Sequence, residues 1–293
     1  MAEKIETVVI GTALDEHSEE VVKAGVALAH ALGAKAHLVH AFPPPLAFAG
    51  PLAPEPGFDA YLQAEEDQLR KALEEQAREA GIEETSLEVG APHRVLQDIA
   101  ERLGAGLLVV GATAGGAVAR LLGSTADRLL RRAACPVLVV RNGLPVPPAR
   151  VVASVDLSPL SAEAFRRGLG ILRGLGASEA EVLFVLSVLQ RQVAPQFTPE
   201  QVDRFAAEEL DRFVQAHAGG EGEAAGLRQK VRTGNVREEI LEELRETQAD
   251  LVILGTHGLG GFDRMAIGSV AADVVREAPC SVLVIPSKDE AQS

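Results

Sequence analysis

The chain has 293 residues, 47% of them hydrophobic, and a net charge of −14 that divides as −7 on residues 1–145 and −7 on residues 146–293. That is enough apolar material for two ordinary cores. The even acidity excludes the dense Lys/Arg surface that holds DNA, RNA or anionic membranes by displacing counterions.

The N-terminal residues, Met1-Ala2-Glu3-Lys4-Ile5-Glu6, form no apolar signal core, and no apolar run approaches the roughly 20 residues that cross a bilayer, so a cytoplasmic location is expected. From there the hydrophobic pattern predicts a strand over 7–12, a helix over 18–32 and a strand over 36–41. A Pro/Ala/Gly-rich connection over 43–59 leads to a charged amphipathic helix over 61–80. A strand over 85–88, a helix over 91–103 and an apolar strand over 107–111 follow. The run Gly123-Ser124-Thr125 opens another helix, and a strand over 136–140 closes this half. After a stiff linker over 143–149 the same order returns, with strands over 150–155, 181–188, 227–232, 249–254 and 281–285. The alternating helices lie over 161–175, 199–217 and 236–247, with a fourth from Ser269, read as its N-cap, to Val275.

The chain is therefore one unit written twice, with domains at 1–142 and 150–287. Leu107-Leu108-Val109-Val110-Gly111 answers Leu251-Val252-Ile253-Leu254-Gly255, and Gly123-Ser124 answers Gly268-Ser269. Cys135 and Cys280 occupy matching positions beside prolines and read as buried small hydrophobes rather than a disulfide. Apolar strands between helices call for a parallel sheet covered on both faces, so each half is expected to be a doubly wound α/β sandwich of five strands and four helices. Ligands of such sheets lie beyond the carboxyl ends of the strands where the winding reverses, which places Asp156 and the Gly255 loop at one crevice.

The run Gly255-Thr256-His257-Gly258, with Gly268-Ser269-Val270 downstream, joins a strand end to a helix start. Glycine permits close approach of backbone to an anion, and the first N–H groups of a helix point at it. Isolated, the same glycines would suit an ordinary surface loop equally well. The sequence has no Gly-x4-Gly-Lys-Ser/Thr motif, nucleophile elbow, Ser/His/Asp order or Cys/His metal spacing, and His30, His37 and His40 suit core or surface roles better than metal ligation.

These features resemble the universal stress protein family in its tandem form. Gly255, Gly258, Gly268 and Ser269 match the glycine spacing of its ATP-binding members, and Val151-Val152-Ala153-Ser154-Val155-Asp156-Leu157-Ser158-Pro159 is similar to their opening strand and turn. The resemblance implies a flavodoxin-like, adenine nucleotide alpha hydrolase-like sandwich that binds ATP, with Mg²⁺ bridging the phosphates, and pairs its units through their last strands. It implies Asp156 at the nucleoside, backbone atoms of Ser187 and Val188 at adenine, Gly255 and Gly258 beside ribose and phosphates, and Gly268, Ser269 and Val270 around the phosphate tail. His257 would stack on or hydrogen-bond the nucleotide, or simply face solvent.

The first half departs from this pattern. Ala13 stands for Asp156, with Asp15 two residues on as a possible substitute, and Ala114 lies where Gly258 would be. ATP is therefore expected in the second half, with weak, different or no binding in the first. The expected function is a nucleotide-dependent stress-response regulator or interaction module with unknown protein partners. The alternative is a slow ATPase or another adenine-nucleotide enzyme. A homodimer is expected, although the two terminal strands of one chain would also satisfy each other.

Overall fold

The computed structural model describes residues 4–42, 58–112, 122–177, 179–188, 197–220, 224, 226–256 and 267–287. The first repeat runs β1 (Thr7–Thr12), α1 (Ser18–Leu32), β2 (Lys35–Phe42), α2 (Phe58–Ala80), β3 (Glu84–Val89), α3 (Pro92–Arg102), β4 (Leu107–Gly111), α4 (Ser124–Leu130) and β5 (Val137–Val140). The second runs β6 (Val151–Val155), α5 (Pro159–Gly174), β7 (Ala180–Ser187), α6 (Pro199–His217), β8 (Leu227–Gly234), α7 (Val236–Glu246), β9 (Leu251–Gly255), α8 (Ser269–Glu277) and β10 (Ser281–Ile285). Strands alternate with helices as the hydrophobic pattern requires, with small shifts at element ends.

Each repeat forms a five-stranded parallel sheet, and the two join into one ten-stranded sheet of order β3-β2-β1-β4-β5-β10-β9-β6-β7-β8. The join is the antiparallel pair β5–β10, which sets Val139 opposite Val282 and Val137 opposite Val284. Both strands would otherwise expose a row of unpaired backbone groups, so the two halves cover each other's edge within one chain. Arg141 locks the seam. Its backbone N–H donates to Ser281 Oγ, and its buried guanidinium donates to the carbonyls of Val275 and Arg276 at the end of α8.

Side chains alternate between two cores. Val8 and Ile10 face one with α1, α2, α5 and α6, while Val9 faces the other with α3, α4, α7 and α8. Burial on both faces is why the inner strands β4, β5 and β9 carry Val, Leu and Ile without a polar alternate, whereas the edge strands β3 and β8 carry polar residues. Cys135 and Cys280 are free thiols, and burial pushes them up to about 11 and about 12, far from thiolate reactivity at neutral pH.

The repeats differ in packing beside α3. A cavity of about 220 Å³ lies under the end of α3, lined by Gln97, Ala100, Ala105, Leu108, Ala133 and Cys135. The equivalent positions of the first two in the second repeat hold Leu241 and Leu244, both buried. Ala100→Leu is therefore expected to fill the void and raise the stability of the full chain by about 0.5–2 kcal/mol in urea denaturation. A drop in stability would show that the surrounding helices cannot admit the side chain.

Candidate nucleotide site

In each repeat the winding reverses between the first and fourth strands, which lie side by side. In the second repeat, Val152 pairs with Val252 and Ala153 with Ile253. Asp156 and Thr256 lie three residues beyond that last pair, one on each strand, so the two turns meet at one crevice. β7 flanks β6 on the other side, with Val155 opposite Phe184, and brings Ser187 to the same edge. Ser187 is half-buried and Val188, just beyond it, is 52% exposed.

The turn after β6 is held by its own side chains. Asp156 Oδ1 accepts the Ser158 N–H at 3.0 Å, the Asp156 N–H donates to Ser161 Oγ at 3.1 Å, and Ser158 Oγ accepts the Ser161 N–H at 3.1 Å as the cap of α5. Leu157 takes φ +65° between them, a backbone conformation that needs such surrounding bonds to persist. Asp156 thus caps a turn and also stands at the crevice.

The glycine segment is clamped at both ends. The Thr256 N–H donates to the Ile285 carbonyl at 3.1 Å, and the Gly268 N–H donates to the Thr256 carbonyl at 2.7 Å. A Cβ on Gly268 would stand 3.2 Å from that carbonyl oxygen, so glycine is favoured here by the close approach rather than by its φ of −56°. The Gly268 carbonyl accepts the Ala272 N–H at 2.9 Å and starts α8. The helix cap is therefore Gly268. Ser269, expected in that role, is the first helical residue, because the first i→i−4 bond closes on the glycine carbonyl. The N–H groups of Ser269, Val270 and Ala271 precede that bond and point out of the helix start. His257 and Gly258 of the expected site, and Ala114 of the first repeat, lie outside the described residues.

The first repeat keeps the clamp and alters the turn. Gly123 donates to the Ala112 carbonyl at 2.7 Å and Ala112 to that of Val140 at 3.0 Å, as in the second repeat. Leu14 takes φ +58°, matching Leu157. Asp15 does not replace Asp156. Its Oδ1 accepts the Ser18 N–H and hydroxyl at 2.9 and 2.7 Å, the place that Ser158 fills in the other half. The level of Asp156 is occupied by Ala13, whose N–H donates to Ser18 Oγ. Around it Thr12 Oγ1 donates to Gln76 Oε1 at 2.7 Å, and His40 Nδ1 lies 2.9 Å from the Thr12 carbonyl, so polar groups of this crevice bond one another. His37, on the same strand, bonds Ser86 at 2.8 Å and Glu84 at 3.3 Å. Among the described residues no cluster of three or more His, Cys, Asp or Glu is arranged to hold a metal ion.

The universal stress protein family model matches residues 4–141 and again residues 149–286. The chain belongs to the universal stress protein family. It carries that family's unit twice. A universal stress protein of Mycobacterium tuberculosis is 30% identical over 198 residues, a segment that covers 61% of each chain and so less than two thirds of that relative's length. A putative universal stress protein of Staphylococcus aureus is 30% identical over 148 residues, 47% of this chain and 84% of its own. Among solved structures, a functionally unknown protein of Pseudomonas aeruginosa superposes with TM-score 0.67 at 17% identity, covering 98% of this chain and 94% of that one. A universal stress protein from Archaeoglobus fulgidus gives TM-score 0.64 at 18% identity, with 97% of both chains covered. At those identities the two structures establish the tandem flavodoxin-like fold. Among the described residues no helix is long and apolar enough to cross a membrane.

One feature of the second repeat had no signal in the local sequence. Glu243 on α7 is completely buried, where the equivalent residue of the first repeat is the core side chain Ile99. Its carboxylate lies 2.6 Å from Lys230 Nζ and 2.8 Å from Arg232 Nη1, and Arg232 also bonds Glu239 and Glu246. Burial alone would raise this carboxyl, but the hydrogen bonds from Lys230 and Arg232 overcome it and hold Glu243 below the usual range. Glu181 on β7 is raised by its own burial and by the neighbouring Glu243 charge. Aligning the two halves at Leu107 and Leu251 sets Ile99 opposite Glu243, but the burial of that carboxylate between Lys230 and Arg232 is a property of the folded chain.

Proposed function

We propose that this universal stress protein binds ATP, with Mg²⁺ bridging the phosphates, in the crevice of its second repeat, and that it acts as a nucleotide-dependent regulator or interaction module of the stress response. The observation that carries the reading is the convergence of Asp156, Thr256 and the Gly268–Ser269 helix start at the reversal of the second sheet, with Gly268 at a spot where a Cβ would crowd the backbone. In this reading the Asp156 carboxylate faces the ribose and backbone groups of Ser187 and Val188 face adenine. Gly255 and Gly258 leave room for the sugar and phosphates, with His257 beside them. The N–H groups of Ser269 and Val270 take the terminal phosphates, where the helix dipole adds to their attraction. A local field of backbone donors suits a protein of net charge −14, which offers no general attraction to anions.

The first repeat has a different fate in this reading. It keeps the Gly123 clamp but lacks the carboxylate, and its Thr12, Gln76 and His40 bond one another. The test is calorimetric titration of the intact chain with ATP and Mg²⁺, with AMP, ADP and cyclic AMP as competitors. One ATP per chain is the expected result, and analysis of the recovered nucleotide shows whether it is returned unchanged. No heat at millimolar nucleotide overturns the proposal, and two equivalent sites overturn the assignment to the second repeat alone.

A further inference from the structure

We infer that the α3–α4 face of the first repeat is a docking surface for an acidic segment of another protein. The inference rests on the interaction-module part of the proposed function and not on nucleotide binding.

His93, in the first turn of α3, is only 9% exposed, and the charges that act on it are all cationic: Arg128 from α4, Arg94 beside it and Arg132 from the turn after α4. The three arginines are exposed. Among the described residues none of them has an acidic group within ion-pair distance, whereas the neighbouring Arg131 is bound to Asp127. Arg128 in α4 and Arg132 in the turn that follows it both act on His93, so with Arg94 the three guanidinium groups gather around the start of α3.

The second repeat supplies an internal comparison. At the positions of His93, Arg94, Arg128 and Arg132 it carries Arg237, Glu238, Asp273 and Glu277. There the charges cancel within the face: Arg237 bonds Glu277 at 2.8 Å and Arg276 bonds Asp273 at 2.8 Å. The three positions held by Arg94, Arg128 and Arg132 are thus basic in one repeat and acidic in the other.

Three exposed guanidinium groups without an ion-pair partner among the described residues lie close together on a chain of net charge −14. Each offers a planar fork of N–H donors that matches a carboxylate. Spread over α3, α4 and the turn after it, they fit carboxylates arrayed along a peptide better than the single compact charge of a small phosphate. The acidic remainder of the surface repels a long phosphate backbone, which disfavours nucleic acid. An acidic peptide segment satisfies the three guanidinium groups and ends before that repulsion grows.

Fluorescence anisotropy of a labelled oligoglutamate peptide with the full chain tests this at about 10 mM salt, where charges act over about 30 Å, and at about 0.15 M, where they are screened within about 8 Å. Saturable binding at low salt is expected, weakening at least about tenfold at the higher salt. The variant R94Q/R128Q/R132Q is expected to lose at least about tenfold in affinity while keeping the parent's ATP isotherm, whatever that isotherm is. The control K71Q/R204Q/R228Q removes the same charge elsewhere and is expected to bind the peptide like the parent. Equal loss in both variants overturns the inference, as does tighter binding of tripolyphosphate or of a duplex oligonucleotide than of the peptide. If the triple variant does not fold, Arg128→Gln alone, with a shallower salt dependence, serves in its place, and an unchanged salt dependence counts against the surface.

Discussion

Glu243→Ile should destabilise the protein by about 2–4 kcal/mol, measured as the shift in urea midpoint of the full chain with an unchanged slope. The replacement restores the residue that the first repeat carries at this position, Ile99, so shape alone does not account for the loss. The cost comes from Arg232 and Lys230, which lose a fully buried carboxylate held at 2.8 and 2.6 Å. Arg232 keeps Glu239 and Glu246, and Lys230 is 38% exposed, so solvent screening lightens its share. These two facts keep the expected loss near the low end of what breaking a buried pair costs. Adding Lys230→Ser, the residue present in the first repeat as Ser86, should then return part of the loss, because the second variant removes a stranded cation. A neutral Glu243→Ile would show that the network contributes nothing net.

The same network fixes a pH dependence. Glu243 is held below its ordinary pKa in the folded state, so its contribution is present above the unfolded carboxylate pKa and is lost as pH falls through the lower folded value. Glu181 works in the opposite sense. Its folded pKa is raised, so the fold takes up that proton more readily than the unfolded chain as pH falls, which offsets part of the loss. The gap in stability between the parent and Glu243→Ile is therefore expected to narrow from pH 5 toward pH 3, and a gap that widens would contradict this assignment of charges.

Asp156→Ala is expected to weaken ATP binding by at least about tenfold, about 1.4 kcal/mol. The carboxylate has two duties on the proposed reading, one to the ligand and one to the Ser158 N–H at 3.0 Å. Asp156→Asn separates them. An amide oxygen can still accept the Ser158 bond, so this variant should unfold within about 0.5 kcal/mol of the parent while binding ATP more weakly. If Asp156→Ala binds ATP like the parent, the residue is a turn cap only and the ligand role falls. If both variants lose stability equally, the Oδ1 bond depends on the charge and not on the acceptor alone.

Periodicity and local chemistry were sufficient for much of the architecture. The strands Thr7–Thr12 and Ser281–Ile285 and the helices Ser18–Leu32 and Pro199–His217 have the bounds that their hydrophobic patterns dictate. Two-sided burial leaves a continuous apolar run and one-sided burial leaves a 3.6-residue period, and both are properties of the sequence itself. The doubling was equally legible, since a repeated fold repeats its patterns, and so was the crevice, because sheet winding alone decides which strand ends meet.

What escaped the sequence are the relations between segments far apart along the chain. Asp15 and Asp156 look interchangeable in a linear reading, yet backbone geometry gives Asp15 the capping duty of Ser158. Ser269 looks like a cap, yet the Thr256 carbonyl draws Gly268 into that position through a 2.7 Å bond. The burial of Glu243 beside Lys230 and Arg232 and the gathering of Arg94, Arg128 and Arg132 around His93 each require separate elements to be brought together, whereas the pairing of β5 with β10 was already implied by the family resemblance. Local patterning specifies which face of a strand or helix is buried, because that is a property of neighbouring residues. Which charge meets which is set by contacts across long loops, and only the tertiary structure supplies them.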